Sequence, residues 1–365
     1  MVENGEQLIR LWLSLSESLT ISARRRLLEN FGSYHALPER FPSGFHGLAG
    51  DKAIEELNTL KGIGVDKLLL RLEELGIQLC FLGDTDYPGP LASIPDAPDV
   101  LFYRGRLPEG EYRALSIVGS RRETRYGRNQ AFSIARDLAR EGVIIVSGLA
   151  RGIDTAAHRG ALDAGGSTIA VLGSGLSHIY PQENEKLAKE IISSGGAVIT
   201  ELPPAAAPLA FRFPVRNRIV SGLSQGLLLA EAREKSGTLI TVGHALDQGR
   251  EVFALPGEVD SPGSCIPNRM IREGARLCTC AQDILEDMGW AEVRPAPQQL
   301  SFQQIEATDA QRPIVDALME DEKGFEELLD LTGLDAASLN RELTMLELEG
   351  AVDALPGRVY RLSRR

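Results

Sequence analysis

Apolar side chains recur at helical spacing through the first eighty residues, at Leu8, Leu11, Trp12 and Leu15, and again at Leu27, Leu28 and Phe31 before Gly32. Ala53, Ile54 and Leu57 then lead into Leu60-Lys61-Gly62-Ile63-Gly64, and Leu68, Leu69, Leu72 and Leu75 carry the period onward. An all-helical domain over 1–80 is expected. Gly62-Ile63-Gly64 fits two arrangements: a helix-hairpin-helix element, whose glycines let backbone amides approach a phosphate, and a tight corner between packed helices.

From Leu115 the pattern changes to short β-rich runs. It predicts strands over 115–118, 143–146, 168–172, 197–200, 226–230 and 251–255, with helices over 127–141, 155–164, 184–193 and 237–248. Strands alternating with helices specify a mostly parallel sheet covered on both faces, an α/β doubly wound, Rossmann-like domain over 81–290. The Pro- and Gln-rich stretch 291–304 reads as a linker. Helical patterns over 309–321, 324–331 and 335–349, followed by Ala351–Leu355, Pro356-Gly357 and Arg358–Leu362, predict three helices and a hairpin, a winged-helix domain over 305–365.

A chain of 365 residues is long for one core and agrees with two or three domains. With 43% hydrophobic and 25% charged residues the composition is globular, and no apolar run reaches the roughly 18 residues of a membrane span. The acidic start Met1-Val2-Glu3-Asn4-Gly5-Glu6 lacks a signal peptide's basic region, so a cytoplasmic location is expected. Cys80, Cys265, Cys278 and Cys280 form neither a CxxC zinc framework nor a disulfide scaffold, and no metal or cofactor is expected.

The net charge of -12 counts against a polyanionic partner, but the average hides its distribution. Residues 303–365 carry 14 acidic and 7 basic side chains, more than half of the whole excess. Between 81 and 302, 20 of the 23 basic residues are arginine, whose planar fork suits bidentate phosphate contacts. Those arginines matter only if they converge.

In an open parallel sheet, ligands bind beyond the carboxyl ends of the strands. Gly119-Ser120-Arg121-Arg122 follows the first predicted strand, Ser147-Gly148 through Arg151-Gly152-Ile153-Asp154 the second, and Gly173-Ser174-Gly175 the third. Glu201 follows the fourth, Glu231 through Ser236-Gly237-Thr238 the fifth, and Pro256-Gly257 the sixth. Glycines there let amides reach an anion, and one rim shared by several such loops points to phosphate. GxGxxG, the acidic ribose partner and the Walker GxxxxGK[ST] element are all missing, which disfavours nicotinamide and triphosphate sites. Phe211-Arg212-Phe213-Pro214-Val215-Arg216-Asn217-Arg218-Ile219 interleaves cations with rings, as a groove for an unpaired strand requires; a helix start with both rings in the core gives the same residues. Asp154, His158, Glu201 and Glu231 could serve acid–base work, but a helix cap, an interior histidine and partners for rim arginines are the preferred readings. No catalytic residue is expected.

These loops resemble the DNA-processing protein A (DprA or Smf) family. The resemblance runs in order through Val118–Arg121, Ser147–Leu162, Val171–Asn184, Glu201–Pro203, Phe213–Ser224, Glu231–Thr241 and Pro256-Gly257. It implies a sterile-alpha-motif-like helical domain, an extended Rossmann-like domain and a winged helix. It further implies a non-catalytic protein that binds single-stranded DNA, dimerises through the Rossmann-like domain and loads RecA recombinase during natural transformation. The family's DNA pocket includes the GSR loop, here Gly119, Ser120 and Arg121. The basic residue often found after Tyr-Pro is replaced by Gln182, with Lys186 the nearest substitute. In the third winged-helix helix Arg341 stands alone against Asp335, Glu342, Glu347 and Glu349, so this domain is expected to contact protein or the chain itself, not duplex DNA; an acidic solvated face without a partner gives the same residues. An enzyme acting on nucleoside monophosphates would need PGGxGTxxE, and Glu234-Lys235-Ser236-Gly237-Thr238 lacks its glycine pair.

Overall fold

Thr20 begins the second helix, Ile21–Phe31, by accepting from the Ala23 amide, and Gly32 ends it at φ 77°. The computed structural model describes residues 5–234, 236–291, 308, 310–319, 322–348, 351–355 and 357–362. Helices Gly5–Ser14, Ile21–Phe31 and Asp51–Ile63 form the N-terminal region around Leu13, Leu27, Phe45 and Leu57, with the Trp12 indole donating to the Leu57 carbonyl at 2.9 Å, while helix Val65–Glu74 packs through Leu69 and Leu72 on the core it shares with the sheet. The Gly-Ile-Gly motif is a one-residue corner: helix Asp51–Ile63 ends, Gly64 turns at φ 85°, and the next helix starts at Val65.

Nine strands form the sheet that carries the rest of this unit: β1 Gln78–Phe81, β2 Val100–Gly105, β3 Ala114–Gly119, β4 Ile144–Ser147, β5 Thr168–Val171, β6 Ala197–Thr200, β7 Gly226–Glu231, β8 Glu251–Ala254 and β9 Arg276–Leu277. Their order is β1-β2-β6-β5-β4-β3-β7-β8-β9, parallel from β6 through β9 and antiparallel where β2 and β1 extend the edge. The central strands are buried on both faces, as parallel strands under helices must be. Residues up to Ala291 make one compact unit, in which Arg24 pairs with Asp99 at 3.0 Å to tie the helical region to the sheet.

The strand order reverses between β3 and β7, since β4 to β6 lie on one side and β8 and β9 on the other. Loops leaving two such strands diverge to opposite faces and open a crevice between them. At that place the β3–β7 register slips between Val118 and Gly119.

The second unit packs helices Arg312–Leu318, Phe325–Thr332 and Ala336–Leu348 against a three-stranded sheet of β10 Lys323–Gly324, β11 Val352–Leu355 and β12 Val359–Leu362. Leu328, Leu339, Leu343 and Leu346 form its core, completing the winged-helix pattern. The linker residues 292–304, Pro356 of the hairpin turn and Glu349 of the third helix lie outside the described residues. Among the described residues no helix is long and apolar enough to cross a membrane.

Candidate nucleic-acid interface

The crevice at the strand reversal is an open cleft of about 650 Å³. Gly119, Ser120, Arg121 and Arg122 line it from the end of β3, Gly148 and Asp154 from beyond β4, and Arg233, Ser236, Gly237 and Thr238 from beyond β7. Helix Arg212–Gly222 supplies the remaining wall through Phe213, Pro214, Arg216 and Asn217. Among the described residues, four guanidiniums against the single carboxylate of Asp154 make the cleft electropositive in an acidic chain.

Arg121 projects exposed over Phe213, its guanidinium carbon 5.5 Å from the ring centroid, and Phe213 leans on Tyr180 with centroids 5.5 Å apart at 51°. A cation and two rings therefore stand side by side at the cleft wall, a surface on which a base can stack while its phosphate meets the guanidinium. Among the described residues no carboxylate pairs with Arg121, Arg122 or Arg233. Arg216 lies beneath them, buried, donating to the Gly148 carbonyl at 2.8 Å and also to that of Val171. Burial pushes its pKa down to about 10, partly opposed by Asp154, so it stays charged at neutral pH.

The hydroxyls act inside the loops. Ser120 Oγ accepts from the Arg122 amide at 3.0 Å, Ser236 Oγ donates to Thr238 Oγ1 at 2.8 Å, and Thr238 donates onward to the Gly119 carbonyl at 3.3 Å. Lys235, in the same loop, lies outside the described residues. Asp154 does not cap its own helix, Ile153–Asp163; its Oδ2 accepts from the upstream amides of Gly148 at 3.1 Å and Ala150 at 3.2 Å. Burial raises its carboxyl above the usual range, against the pull of Arg216 and those amides. His158 is fully buried, bonded through Nδ1 to Thr168 at 2.7 Å, and burial followed by repulsion from Arg216 pushes its pKa down to about 3. It is a neutral interior group.

Several expected donors do not reach the cleft. Arg218, two residues past Arg216, is buried and paired with Glu201 at 2.7 Å and Asp96 at 2.9 Å. Burial works against its charge, and the two carboxylates more than offset that, leaving its pKa raised. Arg212 is buried as well, held by Glu17 and the Ala207 carbonyl, both at 2.8 Å, beside a separate cavity between the helical region and the sheet. Arg151 borders a small hollow adjoining the cleft but is clasped by Glu183, while Lys186, outside the lining, faces Glu190 at 3.8 Å. The Gly148 amide is taken by Asp154 and the Gly175 amide by the Ala206 carbonyl at 2.8 Å, so neither remains for an anion. Gly173 serves packing, since a Cβ there would lie 2.7 Å from the Phe213 ring.

Tyr180 and Arg233 line the cleft without having been singled out from the sequence. Arg233 stands just beyond a predicted strand and could have been found by the strand-end rule; Tyr180 comes from a longer loop that the rule does not address.

Gly152 holds the turn together at φ 80°, where a Cβ would overlap the Ser120 carbonyl oxygen. Gly152→Ala is expected to destabilise the unit by about 1–3 kcal/mol through left-handed strain and displacement of the Ser120–Arg122 turn. A urea midpoint equal to that of the unaltered chain would contradict that strain.

Residues 78–289 match the family of DNA recombination-mediator protein A, and residues 294–358 match the DprA winged helix domain. Protein Smf of Escherichia coli (strain K12) is 39% identical over 305 residues, covering 82% of this chain and 81% of its own. The DNA processing protein DprA of Bacillus subtilis is 41% identical over 223 residues, covering 61% of this chain and 75% of its own. Among solved structures, DNA processing protein A from Streptococcus pneumoniae superposes with a TM-score of 0.65 at 35% identity, covering 79% of this chain and 99% of that one. DNA processing protein A from Helicobacter pylori, described for its single-stranded DNA binding mode, gives 0.51 at 28% identity, covering 58% and 95%.

Proposed function

Because the chain belongs to the DNA recombination-mediator protein A family, we propose that its cleft binds single-stranded DNA, holding phosphates on the arginine rim and stacking bases against Phe213 and Tyr180. The observation that carries this reading is the convergence of Arg121, Arg122, Arg216 and Arg233 beside an aromatic pair at the strand reversal. Arg122, Asn217, Ser236, Gly237 and Thr238 complete the contact surface, and Arg212 and Arg218 brace it from behind. Among the described residues the loops carry no groove-reading element, so the contact is to phosphates and to the faces of bases and is nearly independent of sequence.

The strand so held is delivered to RecA recombinase, and the chain acts as a homodimer through its Rossmann-like unit; family resemblance supports both steps. The winged-helix unit binds a protein. Its support is charge: on helix Ala336–Leu348 the cation Arg341 is already paired with Glu342 at 3.0 Å, and Glu347 is exposed.

A labelled oligonucleotide titrated across a salt series tests the binding. Three to four phosphate contacts predict a log–log slope of about −2 to −3 for a single strand. A flat salt response, or preference for duplex over single strand, would overturn the reading.

A further inference from the structure

We propose that the bound strand leaves the cleft across the first two turns of the helix Arg125–Arg140, along Arg122, Arg125 and Arg128, and not past Tyr180 toward Lys186. This inference rests on the cleft being a single-strand site.

Two sides of the cleft differ in how their cations are held. Beyond Tyr180 three cations have a carboxylate: Arg151 is clasped by Glu183, Lys189 meets Glu185 at 2.8 Å, and Lys186 faces Glu190 at 3.8 Å, while Arg104 is spent on the backbone carbonyls of Leu75 and Leu176. A phosphate arriving there must displace an existing ion pair. On the opposite side Arg122, Arg125 and Arg128 are exposed, and among the described residues none has a carboxylate partner. Two nearby acids are turned elsewhere. Glu123 points toward Gly152, and Glu231 is buried, accepting from the Thr124 amide at 2.9 Å and from its hydroxyl.

Placement also works against the fold. The first turn of this helix holds no acidic residue, and Arg125 and Arg128 put two cations at its positive end, three residues apart on neighbouring ground. Dipole and mutual repulsion both disfavour that arrangement in the free chain. A polyanion laid over the turn reverses both signs, and Arg122 joins this row directly to the cleft lining.

The experiment compares Arg125→Ala/Arg128→Ala with Arg151→Ala/Lys186→Ala in the full chain, using two labelled oligothymidylates. One is about four nucleotides long and fills the cleft; the other is about sixteen, near the upper site size of a single-strand groove. The first variant should bind the long strand roughly tenfold more weakly with a salt slope shallower by about 1.4, two phosphates' share, and bind the short strand unchanged. The second variant should keep the affinity of the unaltered protein for both. Melting of the Arg125/Arg128 variant should be unchanged or higher, and Arg125→Gln/Arg128→Gln should behave alike. An unchanged slope on the long strand, equal losses on both lengths, or a loss confined to the Arg151/Lys186 variant would overturn the path while leaving the cleft in place. Failure of the unaltered protein to bind either strand would overturn the cleft itself.

Discussion

Replacing Arg121 with alanine is expected to weaken binding of an unpaired oligonucleotide about 10- to 100-fold while leaving the melting temperature unchanged. A hydrogen bond to a charged group contributes about 1.5–3 kcal/mol, and each 1.4 kcal/mol is a factor of ten. Arg121 lines the cleft, stands exposed and, among the described residues, forms no salt bridge, its pull on Asp154 being weaker than that of Arg216, so the fold depends little on its charge. The salt slope should become shallower by about 0.7, the share of one phosphate on a single strand. Arg121→Lys divides the effect: the point charge and the slope survive, while the planar fork over Phe213 is lost and affinity falls by an intermediate factor. Anisotropy titrations at one fixed low salt concentration decide the matter, and an Arg121→Ala curve coincident with that of the unaltered protein would leave the cleft without its central donor.

The central strands are legible because a parallel strand covered on both faces is a short apolar run closed by glycine or a charged residue, and β3 through β8 lie within a residue or two of where those runs fall. The edge strands are not. β1 has an exposed and a half-buried residue in its four, and β9 is two exposed residues, so neither has a periodicity to read. The strand-end rule locates the rim from chain order alone, which is why the loops after β3, β4 and β7 are found together. Which arginine faces inward is a different matter. Residues 212–222 form a helix, where a two-residue step turns the side chain by about 200°. Arg216 and Arg218 therefore point oppositely, one beneath the cleft and the other into Glu201 and Asp96. A cluster of cations in sequence becomes one surface only if its spacing matches the element that carries it. Phe211 and Phe213 separate in the same way, with Phe211 exposed and Phe213 against the cleft.

Arg218→Ala consequently carries the opposite signature to Arg121→Ala, a loss of about 3–5 kcal/mol of stability with little change in affinity. The side chain is only 3% exposed and holds both oxygens of Glu201 at 2.7 Å, with Asp96 at 2.9 Å. Removing it strands Glu201, itself 14% exposed, without its counter-charge; Asp96, at 40%, is relieved by water and adds little. A domain's net stability is about 5–15 kcal/mol, so the loss is about a fifth or more of the whole and should be plain in urea denaturation of the unit that ends at Ala291. Arg218→Met combined with Glu201→Gln should recover part of it, because removing both charges of a buried pair costs far less than removing one. Below the unfolding transition the Arg218→Ala protein should bind the oligonucleotide within about twofold of the unaltered chain, since its guanidinium does not line the cleft. A large loss of affinity at full stability would instead place Arg218 on the strand and require helix Arg212–Gly222 to turn on binding, exchanging Glu201 for phosphate.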